Sequence, residues 1–199
     1  MNAKRLETIL ADEFAAAEAE MVQRFQKLRD AGLLPVSRGR NAAQVSRDQI
    51  VSGLLSMVSH RPGSAGAAAT LLRGLVPVGG PDVGFAGAST LAQALRLALG
   101  DRAVLDSIFE IRVTDSDIHP GAAGRAVVFY LAGEVEHVTY YVPRTATSLL
   151  QPGAEQTYDP MDLVSSVIRE TVMAPRLLTR IASELARDEA QVRAMAAAP

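Results

Sequence analysis

The 199-residue chain has no cysteine, so disulfides and thiolate metal sites are excluded. It has only three histidines (His60, His119, His137), and they are dispersed. No G-x-S-x-G element accompanies them, nor any paired acid and base in a catalytic arrangement. Long apolar runs are also missing; none approaches the roughly 18 residues that a membrane span needs. The opening "MNAKRLETILADEF" carries acids where a signal peptide would have its apolar core. These absences predict a soluble cytoplasmic protein with no cofactor and no membrane contact, acting by binding and not as an enzyme.

What is present suffices for a folded chain. Apolar residues make up 48% and charged residues 21%, ordinary globular usage, so one or two domains can bury a core. The net charge of −2 conceals an uneven distribution. From Arg24 to Arg47 there are six cationic residues and one acid; from Asp101 onward there are nine arginines and fourteen acids. A basic segment on an otherwise acidic protein guides it towards a polyanion.

From Lys4 to Asp30, apolar residues recur every three or four positions (Leu6, Ile9, Leu10, Phe14, Met21, Phe25, Leu28), predicting one long helix or two. The spacing leaves that choice open, because no glycine or proline marks a turn near "FAAAEAE". Gly32 and Pro35 end this stretch. In "SRDQ", Ser46 and Gln49 form a capping box that starts the next helix, which should end before Pro62. Short helices follow over 64–75 and 90–99, separated by the connector "VPVGGPDVGFAGAS".

"FEIRVTDS", "RAVVFYLA" and "EVEHVTYYV" then read as three strands, the last two joined by a tight hairpin at Gly133. Beyond them, Asp159 and Pro160 should cap and open a helix whose apolar face is Met161, Val164, Val167, Ile168 and Val172. Pro175 should break or kink that helix before Leu177, Leu178, Ile181 and Leu185 continue its stripe. The expected fold class is α+β: an N-terminal helical, helix-turn-helix-like module, a small antiparallel sheet of about three strands, and C-terminal helices. The expected units are a helical module over 1–76, a linker and helix over 77–100, and an α+β dimerisation or partner module over 101–199.

The basic segment carries the functional expectation. In "MVQRFQKLRDAGLLP", Met21, Val22, Phe25 and Leu28 face inward, leaving Gln23, Arg24, Gln26 and Lys27 as candidates for groove contacts. Arg38, Arg40, Asn41 and Arg47 are candidates for phosphate or minor-groove contacts. The plain reading of the same residues is a helix with a soluble face and a basic loop.

"KLRDAGLLPVSRGR" resembles the end of a recognition helix and the start of a wing in winged helix-turn-helix regulators, where an L-x-x-A-G-L step precedes a basic turn. Through "NAAQVSRDQIVSGLL" the stretch also resembles small regulator-like proteins of bacterial phages and prophages. The resemblance covers residues 6–58 and departs from the pattern in lacking a glycine between the first two helices. It implies a DNA-binding transcriptional regulator that acts on double-stranded DNA as a homodimer. The alternative is a non-enzymatic protein-interaction or assembly factor, such as a phage accessory protein or an inhibitor of a host protein, with the sheet and C-terminal helices as its interface. Asp115, Asp117 and His119 share one face of a strand and could meet a divalent cation, but the turn at Pro120-Gly121 accounts for the aspartates without one. No metal site is therefore expected.

Overall fold

A computed structural model of the protein describes residues 1–36, 44–114, 124–158 and 169–196. The expectations resting on Arg38, Arg40, Asn41, Asp115, Asp117 and His119 lie outside the described residues, as does the helix start at Asp159-Pro160.

The N-terminal stripe is divided between two helices, α1 (Ala3–Phe14) and α2 (Glu18–Asp30). The break needs no glycine. Ala15 takes a left-handed conformation (φ 49°), and its N–H bonds back to the carbonyls of Ala11 and Asp12. Helix α3 (Arg47–Ser56) starts on the expected capping box, with both Ser46 and Gln49 bonds formed. Next come α4 (Ala65–Arg73) and α5 (Leu91–Gly100). Asp101 ends α5 and caps α6 (Arg102–Ser107), a six-residue helix too short to show a period in the sequence.

The sheet has five antiparallel strands, where three are expected from the sequence. The three expected strands are β2 (Ile108–Thr114), β3 (Ala126–Ala132) and β4 (Val135–Val142). Gly133 turns the β3–β4 hairpin at φ 67°, a conformation that favours glycine. The additional strands are short: β1 (Val76–Pro77) pairs with β4, and β5 (Glu170–Met173) pairs with β2. The order is β1-β4-β3-β2-β5. Val172, expected on a helix face, therefore lies in β5. Its pairing with Arg112 supplies the long-range contact that local periodicity lacks. Pro175 likewise opens α7 (Pro175–Ala196) instead of breaking a helix, since the first helical position needs no N–H.

One apolar core joins the three units expected from the sequence. It runs from Leu6 and Phe25 through Leu54 and Leu95 to Ile111, Tyr141, Met173 and Ile181. Helix α7 closes it with Leu177, Leu178, Ile181 and Leu185, and charge sets its alignment against α1. Arg180 reaches Glu13 (2.8 Å) and Asp12 (3.0 Å) at the end of α1, while Glu184 accepts from Arg5 (2.7 Å) near its start. Asp188 pairs with the Met1 amino group. Basic meets acidic along both halves, so only the antiparallel register is satisfied.

Arg5 holds the Glu184 carboxyl below its ordinary range, chiefly by hydrogen bonding. A depressed carboxyl contributes stability above its unfolded value and loses it as pH falls through the folded one. The destabilisation caused by Arg5→Ala should therefore be present near neutral pH and fade as pH falls below the ordinary glutamate range, measured as the difference in thermal midpoint.

Candidate functional site

Among the described residues, the candidates for DNA contact divide between α2 and the start of α3. Arg24 is 3% exposed and points inward. Its Nη1 donates to the Ser56 carbonyl (2.6 Å) and its Nη2 to the Ser59 carbonyl (2.9 Å) at the end of α3. Nε and Nη2 also hold Glu20. A guanidinium committed in this way is a cap for α3 and is not available to a groove, which corrects the outward placement expected from the stripe. Gln26 and Lys27 are both bonded to Asp30 (2.8 and 3.2 Å), which offsets the lysine charge. Gln23 is exposed and lies beside Gly63.

Helix α4 flanks the same side of α2. A Cβ at Gly66 would fall 2.4 Å from the Lys27 carbonyl oxygen, so the two backbones are nearly in contact. Arg47 is at the opposite end of α3 from the carbonyl that Arg24 caps, roughly 14 Å along the helix. It pairs with Glu189 of α7 (2.8 Å), and its guanidinium packs against Gly100. The α2 residues and Arg47 therefore do not share a helix end.

The sheet offers a different surface. Its inner face is buried through Ile111, Val113, Ala126, Val128, Tyr141 and Met173. The register fixes what alternates outward: Arg112, Val127 and Tyr140 in one row, with Phe129 and Val138 in the next. Val172 extends the first row on β5. A bulge between Ile108 and Glu110 leaves Phe109 exposed, with its ring 5.9 Å from that of Phe129. Arg112 lies over the Phe129 ring (5.1 Å) while bonded to Glu110, so a cation caps the apolar centre. Val138 is 43% exposed and Val172 is 55% exposed. A sheet face facing water usually carries polar residues. This one is largely apolar, with Glu110 and Glu136 among its charges.

A second feature is a cleft of about 690 Å³ at the start of α3, between α5 and α7. Its apolar lining includes Val45, Leu97 and Leu185. Arg47, Asp48, Arg96 and Asp101 stand around it. The Arg47 Nε is buried and has no hydrogen-bond partner among the described residues.

The sequence reading named the sheet and C-terminal helices as an interface without identifying the face or its residues, and it missed the cleft. Arg96 lay in a segment read only as a helix, although "VVFYLA" and "VTYYV" carry apolar residues on both strand faces and so signalled the outer one. Among the described residues no group of three or more His, Cys, Asp and Glu could hold a metal ion, and no helix is long and apolar enough to cross a membrane. No family model, no curated protein and no solved structure matches the chain.

Proposed function

We propose that the protein is a non-enzymatic interaction module that pairs with a second copy of itself through the outer face of its sheet. The observation that carries this reading is the apolar outer face, on which Phe109, Val138 and Val172 are exposed around a half-buried Phe129 where a solvated sheet would be polar. Strands β4, β3, β2 and β5 span about 15 Å across, and seven residues of strand give about 23 Å along. Together these give a projected area of roughly 350 Å² per copy, smaller than the roughly 800 Å² of a standard interface, which places the pairing among weak, concentration-dependent associations. Face-to-face stacking of two sheets is an ordinary way to bury such a surface. Arg112, Glu110 and Glu136 supply both signs of charge beside the apolar centre, as an interface between identical surfaces requires.

Sedimentation over a concentration series tests the reading. The wild type should reach twice the 21.1 kDa chain mass. Val138→Lys should hold the protein at one chain mass with an unchanged circular dichroism spectrum, because that side chain points out of the fold. Val192→Lys, on the exposed end of α7, should leave association intact. A monomeric wild type at every concentration would sink the idea.

DNA binding by a helix-turn-helix-like module is the second reading, favoured by one observation. Arg29 and Arg61 have no ion-pair partner among the described residues, and they belong to the part of the chain that holds the exposed Gln23 and Gln26. On this reading, duplex affinity falls steeply with salt, and the Lys27→Ala, Arg29→Ala, Arg61→Ala triple variant flattens that slope by about three phosphate contacts. Absence of binding to any duplex at low salt rejects it.

A further inference from the structure

We infer that the cleft at the start of α3 is a binding site for a small zwitterion with an apolar tail, of the α-amino-acid type. The inference begins with the charges around the cleft and which of them are already committed. Arg47 is paired with Glu189, and Asp188 with the Met1 amino group. Asp101 is spent on the N–H groups of Ala103 and Val104, which it caps. Two charged groups remain: the Arg96 guanidinium and the Asp48 carboxylate, neither of which has a hydrogen bond or ion pair among the described residues. Asp48 contributes only its backbone carbonyl, to Arg73 (2.6 Å) and Ser52 (2.9 Å). The free side chains thus present one positive and one negative group to the same cavity.

A plain anion would meet Arg96 but also face Asp48, and a plain cation would meet the reverse. A ligand with both charges leaves neither group unmatched. Val45 and Leu185 are buried at the floor, and Leu97 is half-buried beside them, which gives an aliphatic side chain a surface to cover. A cleft of about 690 Å³ lies within the ordinary range for small-molecule sites. The assignment is therefore carboxylate to Arg96, ammonium to Asp48, and aliphatic tail to Val45, Leu97 and Leu185.

Calorimetric titration of the full chain with free leucine tests this, using N-acetyl-leucine and leucinamide as the arms that remove one charge each. Leucine should bind with a dissociation constant in the millimolar range or tighter, and each blocked analogue should bind at least tenfold more weakly. Arg96→Ala should abolish the preference for leucine over leucinamide, and Asp48→Asn the preference over N-acetyl-leucine. Arg96 is exposed and its replacement does not open the core, so loss of binding there is not loss of fold. No heat and no chemical-shift change with any of the twenty free amino acids at about 10 mM overturns the proposal, since that limit lies above a millimolar constant. Equal binding of leucine and its blocked analogues overturns it as well.

Discussion

Arg24→Leu should lower the stability of the protein by about 3 kcal/mol, read as a lower urea midpoint with an unchanged slope. The leucine would fill much of the space left by the arginine stem but would leave two carbonyls, of Ser56 and Ser59, without their donor. Ser56 closes α3, so its carbonyl is one of those a helix end leaves unbonded. Both serines are at most 1% exposed, so water cannot readily replace the guanidinium. Each buried orphan costs on the order of 1–3 kcal/mol. Glu20 is about one-third exposed and returns to solvent, so its lost pair adds little. Arg24→Lys should fall between the two, since a single ammonium cannot span both carbonyls and the carboxylate as a fork does. A loss under about 0.5 kcal/mol for the leucine variant would show that the contacts are incidental.

The second large effect is expected at Gly66. In most helices, replacing glycine by a side-chain-bearing residue gains up to about 1 kcal/mol. At Gly66 the sign reverses. Its Cβ would fall 2.4 Å from the Lys27 carbonyl oxygen and 3.0 Å from that carbonyl carbon, and these are backbone atoms of α2 that cannot rotate away. Gly66→Leu must push the two helices apart and should cost roughly 2–4 kcal/mol, seen as a lower thermal midpoint. Gly53→Ala is the contrast. Its nearest neighbours are the tips of Leu6 (3.0 Å) and Leu10 (3.4 Å), which can change rotamer, so a change within about 1 kcal/mol is expected. Gly66→Ala, which adds only the clashing Cβ, should already be destabilising, and a loss no larger than that of Gly53→Ala would rule out backbone approach as the cause.

These two residues also show where the sequence was and was not informative. The 3.6 period placed Met21, Phe25 and Leu28 inside correctly but not Val22, which is 53% exposed because it lies about 100° round the helix from Met21, off the buried stripe; the capping box located the start of α3 to the residue. Arg24 occupies a position between Met21 and Phe25 that a polar face would share. Only the arrival of the end of α3, more than thirty residues later in the chain, turns it inward. The α1–α2 break escaped because an alanine adopts the conformation that glycine would advertise. β1 and β5 escaped because two and four residues cannot establish an alternation, and their partners are remote. The outer sheet face was legible in part: residues apolar at both parities of a strand have two faces to satisfy. The cleft was not legible, since Asp48 and Arg96 come from two helices, α3 and α5, that are remote in the chain and meet only in the fold.

The charge-matched pairing of α1 with α7 has a kinetic consequence. Arg5 and Glu184 are 179 positions apart, and Arg180 and Glu13 are 167 apart. Bringing such ends together carries a loop-closure cost that local contacts do not, so this pair is expected to form late, after the α1–α3 helices and the β3–β4 hairpin. Until then the α1 surface that α7 will cover is open to solvent and to other chains. Opposite charges attract over about 10 Å at moderate ionic strength, beyond the reach of apolar contact. The α1–α7 charges therefore guide the last docking step to one alignment before its leucines touch, making salt a brake on the rate of folding as well as on its end point.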